Sequence, residues 1–234
     1  MKQNIWAKWV ICASAVLFGL LQAGCTGDKG LDFSYSPVPA TVAPALGAPE
    51  SVTVYEFTDN REQQTYVGQA LADPYSPLQR TIYYQVSRPV GQIVTDAVVS
   101  NLESQGFRVI RASGWNLDPG TLYSVASELA VGGTVKAFWT EATPYYSSES
   151  AVVNIHVVIV DAPGKRVLWE GDIVGTETFR TDTIANALFS SRPDPTQLLQ
   201  KAFSGAIDEL STDPGIQRAL KSAILQRLGL LFRF

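Results

Sequence analysis

A short apolar segment that runs directly into a cysteine constrains this chain more than any other feature. Two lysines and no acidic residue occupy the first eight positions, and residues 9–21 are almost entirely apolar. A membrane-spanning helix needs about 20 apolar residues, so this run is too short to act as one. A basic start, a short apolar run and the small residues Ala23 and Gly24 are typical of a secretion signal. We therefore expect residues 1–24 to be removed on export.

The residues around Cys25 resemble the lipobox, the pattern read by the bacterial lipoprotein signal peptidase. Ala23, Gly24 and Cys25 match this pattern, and Gln22 stands where it usually has leucine. The resemblance implies that Cys25 is acylated and becomes the first mature residue. Thr26 follows, and not the aspartate that retains lipoproteins at the inner membrane, so the resemblance implies an outer-membrane anchor with the domain facing the periplasm. Two or three acyl chains are enough for stable anchoring.

Charge and cysteine content limit the classes of partner and ligand that we expect the mature chain to bind. The 234 residues carry a formal net charge of −4, and loss of Lys2 and Lys8 with the signal makes it −6. This acidic balance argues against nucleic acid as a partner. Cys12 leaves with the signal, so the predicted acylation of Cys25 leaves no thiol for a disulfide. With His156 as the single histidine, a metal site of the His/Cys type is excluded, and we expect no cofactor.

Composition divides the mature chain into a tether and a domain. Residues 25–50 contain four prolines among small and polar residues, which predicts an extended tether. Residues 51–234 are long enough for a single domain with its own core. This domain should end in a basic amphipathic helix, because residues 214–234 hold four basic residues and no acidic one. Such a helix could lie on a membrane, dock on a partner or close the core.

Hydrophobic periodicity predicts an α+β fold, with a mostly antiparallel sheet and helices packed on one face. Strands are expected at residues 51–57, 81–86, 107–112, 134–142, 151–161 and 165–180. Helices are expected at residues 87–106 and 118–130, and from residues 194 and 213 onward. Ser87 should cap the first helix and Gly106 should end it. Residues 62–80 are expected to form a loop, and residues 162–165 a tight hairpin turn.

Aromatic and basic residues are the candidates for a partner-binding surface. Phe138 and Trp139 are neighbours on a predicted strand, so one of the two must face the core. Tyr145 and Tyr146 follow in the next loop, where aromatic residues can form a binding patch. The basic C-terminal segment adds further candidates. The full set of candidate partner-binding residues is Tyr145, Tyr146, Arg218, Lys221 and Arg227.

No catalytic residue is predicted. His156 lies in the middle of a strand and the chain has no Gly-x-Ser-x-Gly motif, which favours a structural or surface histidine. Glu56, Asp59 and Glu62 could supply paired carboxylates, but a solvated turn is the more common reason for such a group. The Gly132–Gly133 pair lacks the spacing of a phosphate loop and indicates a turn.

Several motifs resemble the YajG-type bacterial lipoproteins and, more loosely, the accessory lipoproteins CsgG, LpoB and LptE. They are found at residues 52–61, 94–98, 105–107, 129–135, 157–161 and 169–171. The resemblance covers about residues 51–220 and brings no catalytic residues with it. From the anchor, the tether and the missing catalytic residues, we expect a non-enzymatic outer-membrane lipoprotein that presents a periplasmic domain to a protein partner in envelope assembly or maintenance. The alternative is a carrier or sensor that binds a lipid or a cell-wall fragment between sheet and helices.

Overall fold

The computed structural model describes residues 30–37, 51–71, 81–122, 125, 127–142, 148–180 and 194–231, apart from the side chains of residues 71 and 223–231. These residues contain eight strands, three α-helices and a 3₁₀ turn at Pro119–Thr121. The strands are β1 (Ser51–Tyr55), β2 (Thr58–Asp59), β3 (Gly68–Leu71), β4 (Thr81–Tyr84), β5 (Arg108–Ala112), β6 (Leu129–Ala142), β7 (Ser148–Asp161) and β8 (Arg166–Arg180). The helices are α1 (Val90–Ser104), α2 (Pro195–Thr212) and α3 (Pro214–Leu231). Among the described helices, none combines the length and the apolar character that crossing a membrane requires.

Strand β6 is the spine of a single sheet. Along its whole length β6 pairs with the antiparallel strand β7, which pairs in turn with the antiparallel strand β8. On its other side β6 pairs successively with β1, β2 and β3, all parallel to it. Strand β5 is parallel to β1, and β4 is antiparallel to β3.

The sheet is therefore mixed, and the prediction of a mostly antiparallel sheet is wrong, although the α+β class is confirmed. The physical reason lies in the connection through α1. Helix α1 begins beside Phe57, just after β1, and returns the chain to the level of Ser51, where β5 starts in the same direction as β1. The hairpin of β7 and β8 around residues 162–165 is confirmed.

Strand β6 begins at Leu129, earlier than predicted, and the helix expected at residues 118–130 is wrong, because the described residues there form only the 3₁₀ turn Pro119–Thr121 before the strand. The Gly132–Gly133 pair lies inside this strand and does not break it. A Cβ atom on Gly133 would lie 2.5 Å from Cε1 of Phe57, and one on Gly132 would lie 2.8 Å from Cε3 of Trp115. Glycine in a strand often marks such a close approach. The two glycines let aromatic rings pack directly on both faces of β6.

Local capping groups position α2 and α3 as predicted. The Asp194 carboxylate accepts a hydrogen bond from the Thr196 N–H at 3.0 Å at the start of α2. The Asp213 carboxylate does the same for the Ile216 N–H at 2.8 Å at the start of α3. Each cap satisfies an N–H group that the helix itself leaves free.

Helix α1 ends as predicted but begins differently. Gly106 follows the helix with a φ of 91°, the left-handed conformation that favours glycine. Pro89 and not Ser87 occupies the N-cap position. The Ser87 hydroxyl instead donates to the carbonyl of Leu31.

The main core lies between α1, α2, the first turns of α3 and the inner face of the sheet. Phe138 of β6 lies at its centre, with its ring edge-on to those of Phe33 and Phe203 at 5.2 and 5.5 Å. Helix α2 approaches β8 so closely that a Cβ atom on Gly175 would lie 1.7 Å from the carbonyl oxygen of Ala202. A smaller cluster covers the Leu129 end of the outer face. It contains Trp115, Leu122, Ala130, Val158, Val160 and Ala162.

Residues 30–37 belong to the predicted tether, yet they lie on the domain. Leu31 forms a parallel bridge with Val86, and Phe33 is only 3% exposed. The hydroxyl of Tyr35 bonds to Asn101 in α1 and to Asp208 in α2. We name residues 30–37 the strap.

Candidate partner-binding surface

The predicted basic helix is present as α3, and its first turns help to close the core. Ile216, Ala219 and Leu220 are buried against the domain. Arg218 and Lys221 lie exposed on the opposite side of the helix. The apolar face of α3 therefore packs inward, and its basic face is accessible to a partner.

The other predicted residues lie outside the described part of the chain. They are Cys25, Tyr145, Tyr146 and the side chain of Arg227. The roles assigned to these residues and to the basic face of α3 stay predictions.

The outer face of the sheet carries an accessible apolar strip beyond the Trp115 cluster. Phe138 is buried, so its neighbour Trp139 points to the outer face, which confirms that one of the two faces the core. Trp139 pairs with Val152 on β7, and in the next row Asn154 pairs with Val174 on β8. Val174 is 41% exposed. We name this surface the outer patch, and it consists of Trp139, Val152, Asn154, Val174 and Thr176.

A row of charged residues borders the outer patch. The Lys136 ammonium donates to both carboxylate oxygens of Asp172 at 2.7 and 2.9 Å. Nδ1 of His156 lies 2.8 Å from Asp172 Oδ1, and its Nε2 lies 3.3 Å from Glu170 Oε1. The hydrogen bonds from Lys136 and then from His156 hold the pKa of the Asp172 carboxyl below its usual range. The imidazole thus lies between two carboxylates on the sheet surface.

The carboxylates considered for acid–base chemistry do not form a pair. Asp59 accepts two hydrogen bonds from Arg61, whose side chain is only 4% exposed. Glu56 and Glu62 are exposed. Asp59 therefore binds a buried guanidinium. The turn that the sequence predicts at these residues begins instead as the short strand β2.

A cleft of about 350 Å³ lies where β1 and β5 end beside the first turns of α1. Ligands often bind at the carboxyl ends of parallel strands. Here, however, the charged groups bond to one another, since Asp96 joins Arg88 at 2.7 Å and Arg111 at 2.5 Å. Burial raises the pKa of Asp96, but the bonds from Arg111 and Arg88 outweigh it and lower this pKa. Arg111, the arginine that lines the cleft, is thus already engaged by the protein.

Within the described ranges, no group of three or more His, Cys, Asp and Glu side chains is arranged to hold a metal ion. The outer patch itself was not predicted from the sequence. A signal for it exists in β8, where the exposed residues Val174 and Thr176 alternate with the buried residues Ile173 and Gly175. An exposed valine in such an alternation marks an apolar position on the solvent face.

Comparisons with known proteins find similarity in structure only. No family model and no curated protein sequence matches the chain. A protein from Xanthomonas campestris assigned to the DUF330 family has a TM-score of 0.52 at 14% identity, over 83% of this chain and 97% of that one. The PelC dodecamer from Paraburkholderia phytofirmans has a TM-score of 0.36 at 16% identity, over 71% and 93%. Lipoprotein GNA1162 from Neisseria meningitidis has a TM-score of 0.40 at 14% identity, over 70% and 100%. The similarity to the Xanthomonas protein shows a shared fold.

Proposed function

We propose that this chain is a non-enzymatic lipoprotein, anchored through Cys25 in the bacterial outer membrane, that presents its periplasmic domain to an envelope protein. The anchor is supported by the secretion signal and by the lipobox-like residues that end at Cys25. The expected role is in assembly or maintenance of the envelope.

The outer patch is the observation that supports binding of a protein partner. Trp139 and Val174 supply an apolar centre on the outer face of the sheet, and tryptophan is enriched among the residues that dominate binding energy. The charged row of Lys136, His156 and Asp172 forms a polar border along one side of this centre, and Thr176 adds a hydroxyl within the patch. An apolar centre within a polar rim is the usual anatomy of a protein interface.

The basic face of α3 offers a second contact. Arg218 and Lys221 are exposed there, whereas the rest of the mature chain is acidic. Charges of this kind steer association and set orientation more than they raise affinity. We therefore expect Arg218 and Lys221 to affect the rate of association with an acidic partner.

A carrier of lipid or of a cell-wall fragment is the second candidate. The space between sheet and helices is filled by side chains such as Phe138, Ile155 and Phe203, all at most 1% exposed. An open groove of about 420 Å³ runs along the strap, with Leu31 and Phe33 among its lining residues. A carried molecule would have to bind in this surface groove and not inside the domain.

The anchor is tested with a Cys25→Ser variant. Wild type should incorporate labelled palmitate and fractionate with outer membranes, and the variant should do neither. A wild-type protein that takes up no palmitate would contradict the proposal.

The partner surface is tested by a photo-reactive amino acid placed in the full-length protein in cells. The positions are Val174 in the outer patch, Lys221 on α3 and, as a control, the exposed residue Glu103 on α1. We expect the same envelope protein to crosslink from Val174 but not from Glu103. A second change, Thr176→Arg, should abolish that crosslink, and Glu103→Arg should leave it intact.

Three outcomes count against the outer patch as the contact. Crosslinks from Lys221 alone would move the contact to α3. Lipid crosslinks from a further photo-reactive residue at Lys201, in the strap groove, would favour the carrier. Only self-crosslinks from Val174 would make the patch an interface between copies of this chain.

A further inference from the structure

The strap begins as an added strand beside the start of α1. The Leu31 N–H donates to the carbonyl of Gln85 at 2.8 Å, and the Ser87 N–H donates to the carbonyl of Leu31 at 2.9 Å. Two residues later the Phe33 side chain is buried against Phe138. Backbone pairing and a buried aromatic ring therefore both hold the start of the strap in place.

A polar network holds the other end of the strap between α1 and α2. The Tyr35 hydroxyl donates to Asp208 Oδ1 at 2.5 Å and accepts from the Asn101 amide at 2.9 Å. The Gln200 amide donates to the carbonyl of Ser34 at 2.8 Å. Asn101 is 1% exposed, so undocking would remove a partner from a buried amide, which is costly. The docked strap is thus an integral part of the folded domain.

The docked strap leaves a very short free tether. Five peptide units separate Cys25 from Gly30, and an extended chain of that length spans at most about 18 Å. A tether free as far as Ser51 would reach about 90 Å. Gly30 itself lies against Ser87, since a Cβ atom on it would be 3.2 Å from the Ser87 Cα.

We infer that the strap holds the start of α1 at the membrane surface, so that this end of the domain faces the lipid headgroups. The inference rests on the proposed function, in which Cys25 carries the acyl chains. The outer patch lies on the other face of the sheet from the strap. Docking at the membrane therefore leaves the outer patch open to a partner in the periplasm.

The charges at this end indicate that tether length, and not lipid charge, sets the contact. Arg88 pairs with Asp32 at 3.3 Å and with Asp96 at 2.7 Å, and Arg111 pairs with Asp96. Because each of these two arginines has a carboxylate partner, the local charge is balanced. Proximity to the membrane should therefore change little with anionic lipid content or salt.

The test measures which end of α1 lies near the bilayer. Acylated full-length protein is placed in phosphatidylethanolamine vesicles, with or without phosphatidylglycerol, that contain a lipid with a spin-labelled headgroup. A fluorophore is attached to Gln92→Cys or to Glu103→Cys, two exposed positions on α1 about 16 Å apart along its axis. We expect the label at position 92 to be quenched about twofold more than the label at position 103, with either lipid mixture.

Two controls separate the strap from the anchor. Inserting a flexible Gly/Ser segment of about 20 residues between Lys29 and Gly30 should equalise the two labels while acylation is kept. Releasing the strap with Phe33→Ser should have the same effect.

Each outcome identifies what fails. Equal quenching of both labels in acylated, vesicle-bound protein would overturn the inference and leave the proposed function standing. Protein that carries no acyl group by mass spectrometry, and binds vesicles no better than Cys25→Ser, would remove the proposed function and the inference with it.

Discussion

The Arg61 guanidinium binds both carboxylate oxygens of Asp59, at 2.8 Å from Nε to Oδ1 and 2.7 Å from Nη2 to Oδ2. The same guanidinium also donates to the backbone carbonyls of Gln64, Tyr66 and Phe138. It thereby joins the connection between β2 and β3 to the middle of β6. The buried cation has a full set of acceptors, which is the condition under which burial of an arginine is tolerated.

Replacing Arg61 with alanine should destabilise the domain strongly. Removal of one partner from a buried ion pair typically costs about 3–5 kcal/mol, and here three carbonyls lose a donor as well. The change would be measured as the free energy of unfolding in urea. Arg108→Ala, at an exposed position on β5, is the matched control and should cost less than about 1 kcal/mol. Equal effects of the two substitutions would show that Arg61 is not a structural centre.

Gly175, at the contact between β8 and α2, and Gly205, on the exposed side of α2, should respond to alanine in opposite directions. Gly175→Ala places a methyl group 1.7 Å from the Ala202 carbonyl oxygen, and overpacking of this kind should cost about 3 kcal/mol or more. Gly205 lies exposed in α2 with nothing within 4 Å of the added methyl, so Gly205→Ala should stabilise the helix by about 0.5–1 kcal/mol. Urea unfolding measures both changes. A neutral Gly175→Ala variant would mean that α2 does not approach β8 so closely.

Asp172 should make the domain more sensitive to acid. Its pKa is lowered in the folded state by hydrogen bonds from Lys136 and His156. Its contribution is therefore present above the pKa of the unfolded chain and is lost as the pH falls through the folded pKa. Asp172→Asn should reduce the loss of stability in acid and cost less than about 1 kcal/mol at neutral pH, because the pair is exposed. If the free energy of unfolding of Asp172→Asn fell with decreasing pH as steeply as that of wild type, Asp172 would not be the source of the acid sensitivity.

Tyr35 should weaken the strap at high pH. Burial, followed by its hydrogen bond to Asp208, raises the pKa of Tyr35 from 10.0 to about 12. A raised pKa means that the contribution is complete below pH 10 and is lost as the pH rises toward 12. Hydrogen exchange and limited proteolysis at residues 31–35 should show this opening in wild type. In Tyr35→Phe, opening of the strap should depend less on pH between pH 10 and 12. If its hydrogen exchange and proteolysis changed with pH as in wild type, the Tyr35 hydroxyl would not have this role.

Local periodicity predicted the three α-helices of the structure, although the helix expected at residues 118–130 is not formed. The apolar residues that recur at helical spacing in α2 are all buried: Leu198, Leu199, Ala202, Phe203, Ala206, Ile207 and Leu210. The caps at Asp194 and Asp213 were equally readable, because a helix start depends on residues close together in the chain. The same is true of the β7–β8 hairpin.

Strand pairings and contacts between residues far apart in the chain could not be predicted from the sequence. The parallel partners of β6 lie far from it in the chain, and Gly132–Gly133 indicates a turn until Phe57 and Trp115 are seen to pack on the two glycines. The strap was hidden for a different reason. Leu31, Phe33 and Tyr35 alternate as in a strand, but the prolines that follow dominate the composition of the segment. For the candidate site, the sequence predicted the basic face of α3 but not the outer patch.

The hydrogen bond between Tyr35 and Asp208 limits the order in which the parts of the protein can fold. The two residues lie 173 positions apart, so a chain that emerges N-terminus first presents the strap long before both α1 and α2 have formed. Strap docking is therefore a late step, because contacts between distant residues must wait for the elements that carry them. During refolding, the amides of residues 31–35 should gain protection from hydrogen exchange only after those of α1 and α2. Docking of the strap therefore marks a finished domain and, in the proposed lipoprotein, fixes the domain to the end that carries the anchor only at that stage.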